Sequence, residues 1–183
     1  MIAIKKILVP TDLSSESVPA IGYAISLARD HGAEVIIVHT LPAKVLNPSS
    51  AYFSGEMGSA GVGPIARAGH PSVENLFESG KQVLRNFLEQ KIAPDLLRGV
   101  QITPLVRLGK VVDEIVSAAK EAQADVIVMT SQASPLWRLL RGSFIERTIR
   151  KAPCPVLTIL PSAEIRTDKD ERVPIRLMDK WAA

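Results

Sequence analysis

The chain holds one cysteine, Cys154, in 183 residues. A single thiol excludes an internal disulfide and suits a reducing compartment. Aromatic residues make up only 4% of the sequence, so any core must be built from aliphatic side chains. The histidines, His31, His39 and His70, stand at irregular spacing and form no zinc-type motif. No apolar run approaches the roughly 18 residues of a membrane-spanning helix. The amino terminus, MIAIKKILVPTD, runs straight into a strand pattern and lacks the plan of a signal peptide. A soluble, cytoplasmic protein with no membrane association is therefore expected. Neither sign of charge dominates, since Lys and Arg number 22 against 19 Asp and Glu, for a net charge of +3. That small basic excess is no nucleic-acid footprint. Aromatic interleaving and a recognised nucleic-acid module are also absent, so no nucleic-acid partner is expected.

What is present is an alternation of short apolar runs and amphipathic stretches. Ile7-Leu8-Val9 reads as a first strand stopped by Pro10. A helix follows from about Ser15 to Asp30, with Ala20, Ile21, Ala24, Ile25, Leu27 and Ala28 inward. Pro19 is tolerated near its first turn, and Gly32 is placed to close it in a left-handed cap. Val35 to Val38 is a second strand. Ser72 to about Ile92 is a strongly amphipathic helix ended by Pro94. Gln101 to Val106 is a third strand, placed at a sheet edge because Pro104 cannot donate to a central ladder. Val111 to Ala122 forms the next helix. Val126-Ile127-Val128-Met129 is a strand buried on both faces. The last helix runs to about Lys151, and Val156 to Leu160 is a fifth strand. Such alternation predicts an α/β fold with a mainly parallel sheet and helices on both faces. With no internal repeat, a single domain over residues 1–161 is expected, followed by a tail over 162–183.

Two stretches break the alternation. Residues 41–71 hold Pro42, Pro48, Pro64 and Pro71 among Gly55, Gly58, Gly61, Gly63 and Gly69, with no period. The stretch reads as a long mobile loop insertion, too long to be a simple connector. It is either a plain surface loop or a lid over a cleft. The tail balances its charges and ends in Ile175, Leu177, Met178 and Trp181, so it either docks or stays disordered.

The segment 125–143, DVIVMTSQASPLWRLLRGS, carries the most chemistry. It is a buried strand, then a polar turn, then Gly142-Ser143 at a helix start. At the carboxyl end of a parallel strand this arrangement favours an anion, through backbone N–H groups and the helix dipole. Asp12, in the turn after the first strand, either caps its own turn or faces a ligand. Arg138, Arg141, Arg147, Arg150 and Lys151 make residues 138–151 the most basic part of the chain. They form either a solvated helix face or an attractive surface for a polyphosphate or an acidic partner. Cys154, between two prolines, reads as a small buried hydrophobe.

KKILVPTDLS at the start, DVIVMTS late and RGSFIERTIRKAPCPVLTIL at the end together resemble the universal stress protein family over about residues 3–161. The resemblance implies an open five-stranded sheet of order 3-2-1-4-5, a Rossmann-like fold of the adenine nucleotide alpha hydrolase type. It also implies a homodimer built partly through the fifth strand, and a ligand cleft between strands one and four. Many members bind ATP through G-x2-G-x9-G-[ST] after the fourth strand. Here Thr130 and Ala133 stand where the glycines fall, and Thr130-x2-Ala133-x8-Gly142-Ser143 is one residue short. Added Cβ atoms narrow such a loop and disfavour positive φ. Asp12, flanked by Pro10 and Thr11, matches the acidic residue that contacts the nucleoside, and Val38 an adenine-contacting position. The nucleotide set implied by the resemblance is Pro10, Thr11, Asp12, Val38, Thr130, Ser131, Ala133, Gly142, Ser143 and Phe144. No nucleophile–base pair, metal cluster or P-loop lysine points to catalysis. A stress-response regulatory module that binds ATP, AMP or another adenine nucleotide is therefore the expectation, not an enzyme. The alternatives are a member that works only through a protein partner, and an ATP-using hydrolase or transferase.

Overall fold

The computed structural model describes residues 3–42, 73–131 and 144–160, and the backbone of 164–166 and 172–174. Strand β1 (Lys6–Thr11) leads through a single turn of 3-10 helix (Ser15–Ser17) into α1 (Val18–His31). Then come β2 (Glu34–Leu41), α2 (Val73–Lys91), a short α3 (Pro94–Leu97) and β3 (Gln101–Leu108). The body continues with α4 (Val111–Ala122), β4 (Val126–Thr130), α5 (Phe144–Lys151) and β5 (Val156–Ile159). The five strands form one parallel sheet of order β3-β2-β1-β4-β5. This is the order that the resemblance implied. β3 lies at an edge, which its Pro104 requires.

The two faces of the sheet follow from strand alternation. Ile7, Val9, Val35, Ile37, Val126 and Val128 point to one face, where Ile21, Ala24, Ile25, Leu84, Phe87 and Leu88 of α1 and α2 cover them. Leu8, Ile36, Val38 and Ile127 point to the other, against Ile115, Ala118 and Ala119 of α4, with Phe144 of α5 packed alongside. Burial on both sides is why these strands read as continuous apolar runs. Fully burying one such side chain contributes about 1.5–3 kcal/mol.

Some boundaries differ from the sequence reading. β2 runs on to Leu41, because His39 and Thr40 are buried and stay in the ladder opposite Val106 and Arg107. From residue 43 on, the expected 41–71 loop lies outside the described residues. α2 ends at Lys91, and Pro94 opens α3 instead of merely stopping the preceding helix, since a proline fits the first helical turn. The tail contributes an antiparallel pair, β6 (Glu164–Arg166) with β7 (Arg172–Pro174), which the sequence reading did not contain.

Helix ends are set by backbone stereochemistry. Gly32 closes α1 at φ 62° and ψ 38°, its N–H donating to the Ala28 carbonyl. Gln123 closes α4 in the same left-handed region, at φ 54° and ψ 49°, without the freedom of a glycine.

Candidate functional site

The sheet order reverses between β1 and β4, and open α/β sheets present their crevice at that point, beyond the carboxyl ends of the strands. The β1–β4 ladder consists of Ile7↔Val126 and Leu8↔Ile127. β1 nevertheless stays paired with β2 as far as Thr11↔His39, and β4 with β5 as far as Thr130↔Ile159. Each central strand thus holds to its outer neighbour while the central pair stops early. Pro10, which has no N–H to donate, lies in the end of β1 that is paired with β2 but no longer with β4.

The turn after β1 is heavily tied down. Thr11 is buried, and its hydroxyl lies 2.8 Å from that of Ser17. The Ser17 hydroxyl donates to the Ser14 carbonyl at 2.8 Å, so the proton between the two hydroxyls belongs to Thr11. The Thr11 oxygen also accepts the Leu13 N–H at 3.0 Å. Leu13 itself sits at φ 64°, a left-handed conformation that costs a residue with a Cβ about 1–2 kcal/mol. Burial of its side chain in the α1-side core and the bond to Thr11 offset that strain. Asp12 is exposed at the top of the turn. Its Oδ1 accepts the Ser14 N–H at 3.0 Å and the Ser14 hydroxyl at 2.5 Å. The turn-capping role weighed for Asp12 is therefore present in the structure.

At the end of β4, the Ser131 N–H donates to the Ile159 carbonyl at 2.8 Å, which holds the strand end to β5. The hydroxyl oxygens of Thr130 and Ser131 are buried and make no hydrogen bond among the described residues. A buried hydroxyl without a partner costs about 1–3 kcal/mol.

The structure places Pro10, Thr11 and Asp12 at the end of β1, and Thr130 and Ser131 at the end of the adjacent β4. Val38 lies opposite Pro10 in the β2 ladder, but its side chain is 1% exposed and enclosed by the α4-side core. Phe144 starts α5 and packs partly buried against that same core. Ala133, Gly142 and Ser143 lie outside the described residues, as do Arg138 and Arg141. Of the basic stretch that remains, Arg150 pairs with Glu146 at 2.6 Å and Lys151 with Asp113 at 2.7 Å, all on the surface. The hydrogen bond and charge of Lys151 hold the Asp113 carboxyl below the usual aspartate range. These two residues edge a groove of about 360 Å³ beside Val116, Ser117 and Lys120. None of the seven candidates among the described residues lines it.

Cys154 is partly buried, and that burial, with the nearby Asp125 charge, pushes its thiol up. The thiol is correspondingly poor in thiolate, as expected of a packing residue. No group of His, Cys, Asp and Glu among the described residues is placed to hold a metal ion. No helix among them is long and apolar enough to cross a membrane.

Sequence reasoning met His39 only as one of three scattered histidines and gave no role to Ser17 or Leu13. Ser17 and Leu13 were visible only as turn and helix-start residues. The signal for His39 was a polar residue inside the otherwise apolar EVIIVHTL, one step beyond Val38.

Comparisons with known proteins agree with this architecture. The model of the universal stress protein family matches residues 3–159. Universal stress protein MJ0531 of Methanocaldococcus jannaschii is 34% identical over 156 residues, covering 85% of this chain and 81% of that protein. MJ0577 of the same organism is 29% identical, over 85% and 94% of the two chains. Among solved structures, that of MJ0577 superimposes with a TM-score of 0.60 over 87% of this chain and 97% of its own. A universal stress protein in complex with cAMP gives 0.57 at 21% identity, over 87% and 98%. One from Archaeoglobus fulgidus in complex with dAMP gives 0.52 at 21%, over 86% and 99%. A five-stranded parallel sheet of order 3-2-1-4-5 and a family match over most of its length leave one assignment: this chain belongs to the universal stress protein family.

Proposed function

We propose that the chain binds an adenine nucleotide at the carboxyl ends of β1 and β4 and acts as a regulatory module of the stress response. The observation that carries this reading is the pair of buried hydroxyls on Thr130 and Ser131, which find no partner among the described residues where the central strands part. A bound phosphate or ribose supplies acceptors for both and removes their desolvation cost. The tied-down Leu13 turn adds a preorganised wall, since strain of this kind concentrates at binding sites. Relatives of this fold crystallised with cAMP and dAMP point to the same ligand class.

In this reading Asp12, with Pro10 and Thr11, faces the nucleoside, and Val38 supports it from beneath through the α4-side core. Thr130 and Ser131 meet the phosphates with Ala133, Gly142, Ser143 and the start of α5 at Phe144. Loss of two loop glycines from the family pattern weakens the phosphate half, so affinity lies below that of members with the full loop. The module works as a cytoplasmic homodimer through β5, by binding and not by turnover. Ligand control of its shape or partner requires different affinities for two states.

A second reading has the chain act through protein contacts alone. It is favoured by the exposed Ile149 on α5 and Leu160 after β5, at 52% and 58% exposure. Calorimetry with ATP, ADP, AMP and cAMP on protein freed of carried-over nucleotide separates the two. Saturable heat that weakens in Asp12→Ala and Ser131→Ala supports the first reading. No heat at millimolar ligand sinks it.

A further inference from the structure

His39 is a buried residue at the end of β2, directly opposite Thr11 in the parallel ladder. Its Nδ1 lies 3.0 Å from the Thr11 carbonyl oxygen. A carbonyl only accepts, so Nδ1 carries the proton of this bond and neutral His39 is the Nδ1–H tautomer. We propose that His39 is the positioning residue of the nucleotide site, acting through the Thr11–Asp12 peptide; this rests on the nucleotide reading above.

The argument is one of peptide geometry. The peptide is planar and trans, so its C=O and the following N–H point in opposite directions. Drawing the Thr11 carbonyl toward β2 turns the Asp12 N–H away from β2, to the side of β1 on which β4 lies. The same bond sets the direction in which the chain leaves β1, and with it the place of the Asp12 carboxylate. Thr11 is thereby held at both polar groups, by His39 at its carbonyl and by Ser17 and the Leu13 N–H at its hydroxyl. Neither His39 nor Ser17 need touch the ligand to align the residues that do. A site preorganised in this way does not spend binding energy on ordering its own turn.

The test uses the full chain, with ATP and AMP as probes. His39→Leu removes the donor and keeps an apolar body, and is expected to weaken nucleotide affinity about tenfold, the scale of one lost buried hydrogen bond. His39→Asn places an amide N–H close to the position of Nδ1 and is expected to restore affinity to within about threefold of the parent. Nitrogen-15 spectra of histidine-labelled parent protein, followed over pH, are expected to show that the neutral form of His39 carries its proton on Nδ1. Folded His39→Leu that binds as the parent does overturns the proposal, as does an Nε2–H tautomer in the parent. Equal loss in Leu and Asn variants also overturns it, because bulk and not the donor would then matter. Absence of binding in the parent overturns the nucleotide reading and this inference with it, whereas failure confined to the His39 comparison overturns only the latter. The tautomer measurement needs no variant, so it decides even where His39→Leu does not fold.

Discussion

The hydroxyls of Thr11 and Ser17 share one hydrogen bond, 2.8 Å long, that joins the end of β1 to the start of α1. Its direction is set by the onward bond from Ser17 to the Ser14 carbonyl. Thr11→Val keeps the shape of the side chain but leaves the Leu13 N–H and the Ser17 oxygen without their partner. A loss of about 1–3 kcal/mol is expected, read by urea unfolding. Ser17→Ala made alone and together with Thr11→Val closes a double-mutant cycle. A coupling of at least about 0.5 kcal/mol is expected, and strict additivity would refute the shared bond.

Thr130→Val separates stability from binding. In the free protein the Thr130 hydroxyl is buried without a partner among the described residues, so replacing it by a methyl group costs nothing or stabilises by up to about 1 kcal/mol. The same change removes a group assigned to the phosphates, and nucleotide affinity is expected to fall by about three- to tenfold. Thermal unfolding with and without ATP reads both effects. A variant that is less stable without ligand and binds as before contradicts the assignment.

Asp125 fastens the amino ends of the two central strands. Its Oδ2 accepts the N–H groups of Lys5 and Lys6 at 2.7 and 2.8 Å, which ties the start of β4 to the start of β1. These backbone bonds, Lys5 first, hold its carboxyl below the usual aspartate range. A depressed carboxylate stabilises the fold above its unfolded value, and that stability is lost as pH falls through the lower folded value. Asp125→Asn is therefore expected to be destabilising at neutral pH. The gap between parent and variant should close below about pH 4. The group is exposed, so about 1 kcal/mol or less is expected at neutral pH. Unfolding midpoints measured from pH 7 to pH 3 test the sign.

The caps of α1 and α4 make opposite predictions. Gly32 and Gln123 occupy the same left-handed region. Gln123→Gly relieves a Cβ clash and is expected to stabilise by about 0.5–1 kcal/mol, whereas Gly32→Ala is expected to destabilise by about 1 kcal/mol. Nothing lies within 4 Å of a Cβ built on Gly32, so its loss would report backbone strain alone. Chemical denaturation of both variants checks the pair, and changes of the same sign would show that φ is not what decides them.

Much of the fold was legible because it rests on local periodicity. Runs such as Ile7-Leu8-Val9 and Val126 to Met129 are apolar on both sides only when a sheet is covered by helices on both faces. The left-handed cap at Gly32 followed from its place after an amphipathic run. The edge position of β3 followed from Pro104. Sheet order did not follow from periodicity and came through resemblance, since alternation does not say which strands are neighbours.

The site was only partly legible. Asp12, Thr130 and Ser131 stood out as polar residues at strand ends, and strand ends face one edge in any parallel sheet. The Asp12 contacts to Ser14 follow from spacing alone, as turns of this kind do. His39, by contrast, is twenty-eight residues from Thr11. Nothing in the order of the chain says that its imidazole meets that carbonyl. The enclosure of Val38, the early end of the β1–β4 ladder and the lack of a partner for the Thr130 and Ser131 hydroxyls among the described residues are likewise properties of neighbours brought together from afar. The sequence by itself determined the five strands and the main helices of the sheet, the cap at Gly32 and the polar residues at strand ends, because these depend on backbone stereochemistry and on the burial period of a few adjacent residues. Only the tertiary structure decided which of those polar groups are satisfied and which are not, because a hydrogen bond between strands depends on register, and register is set by the packing of the whole sheet.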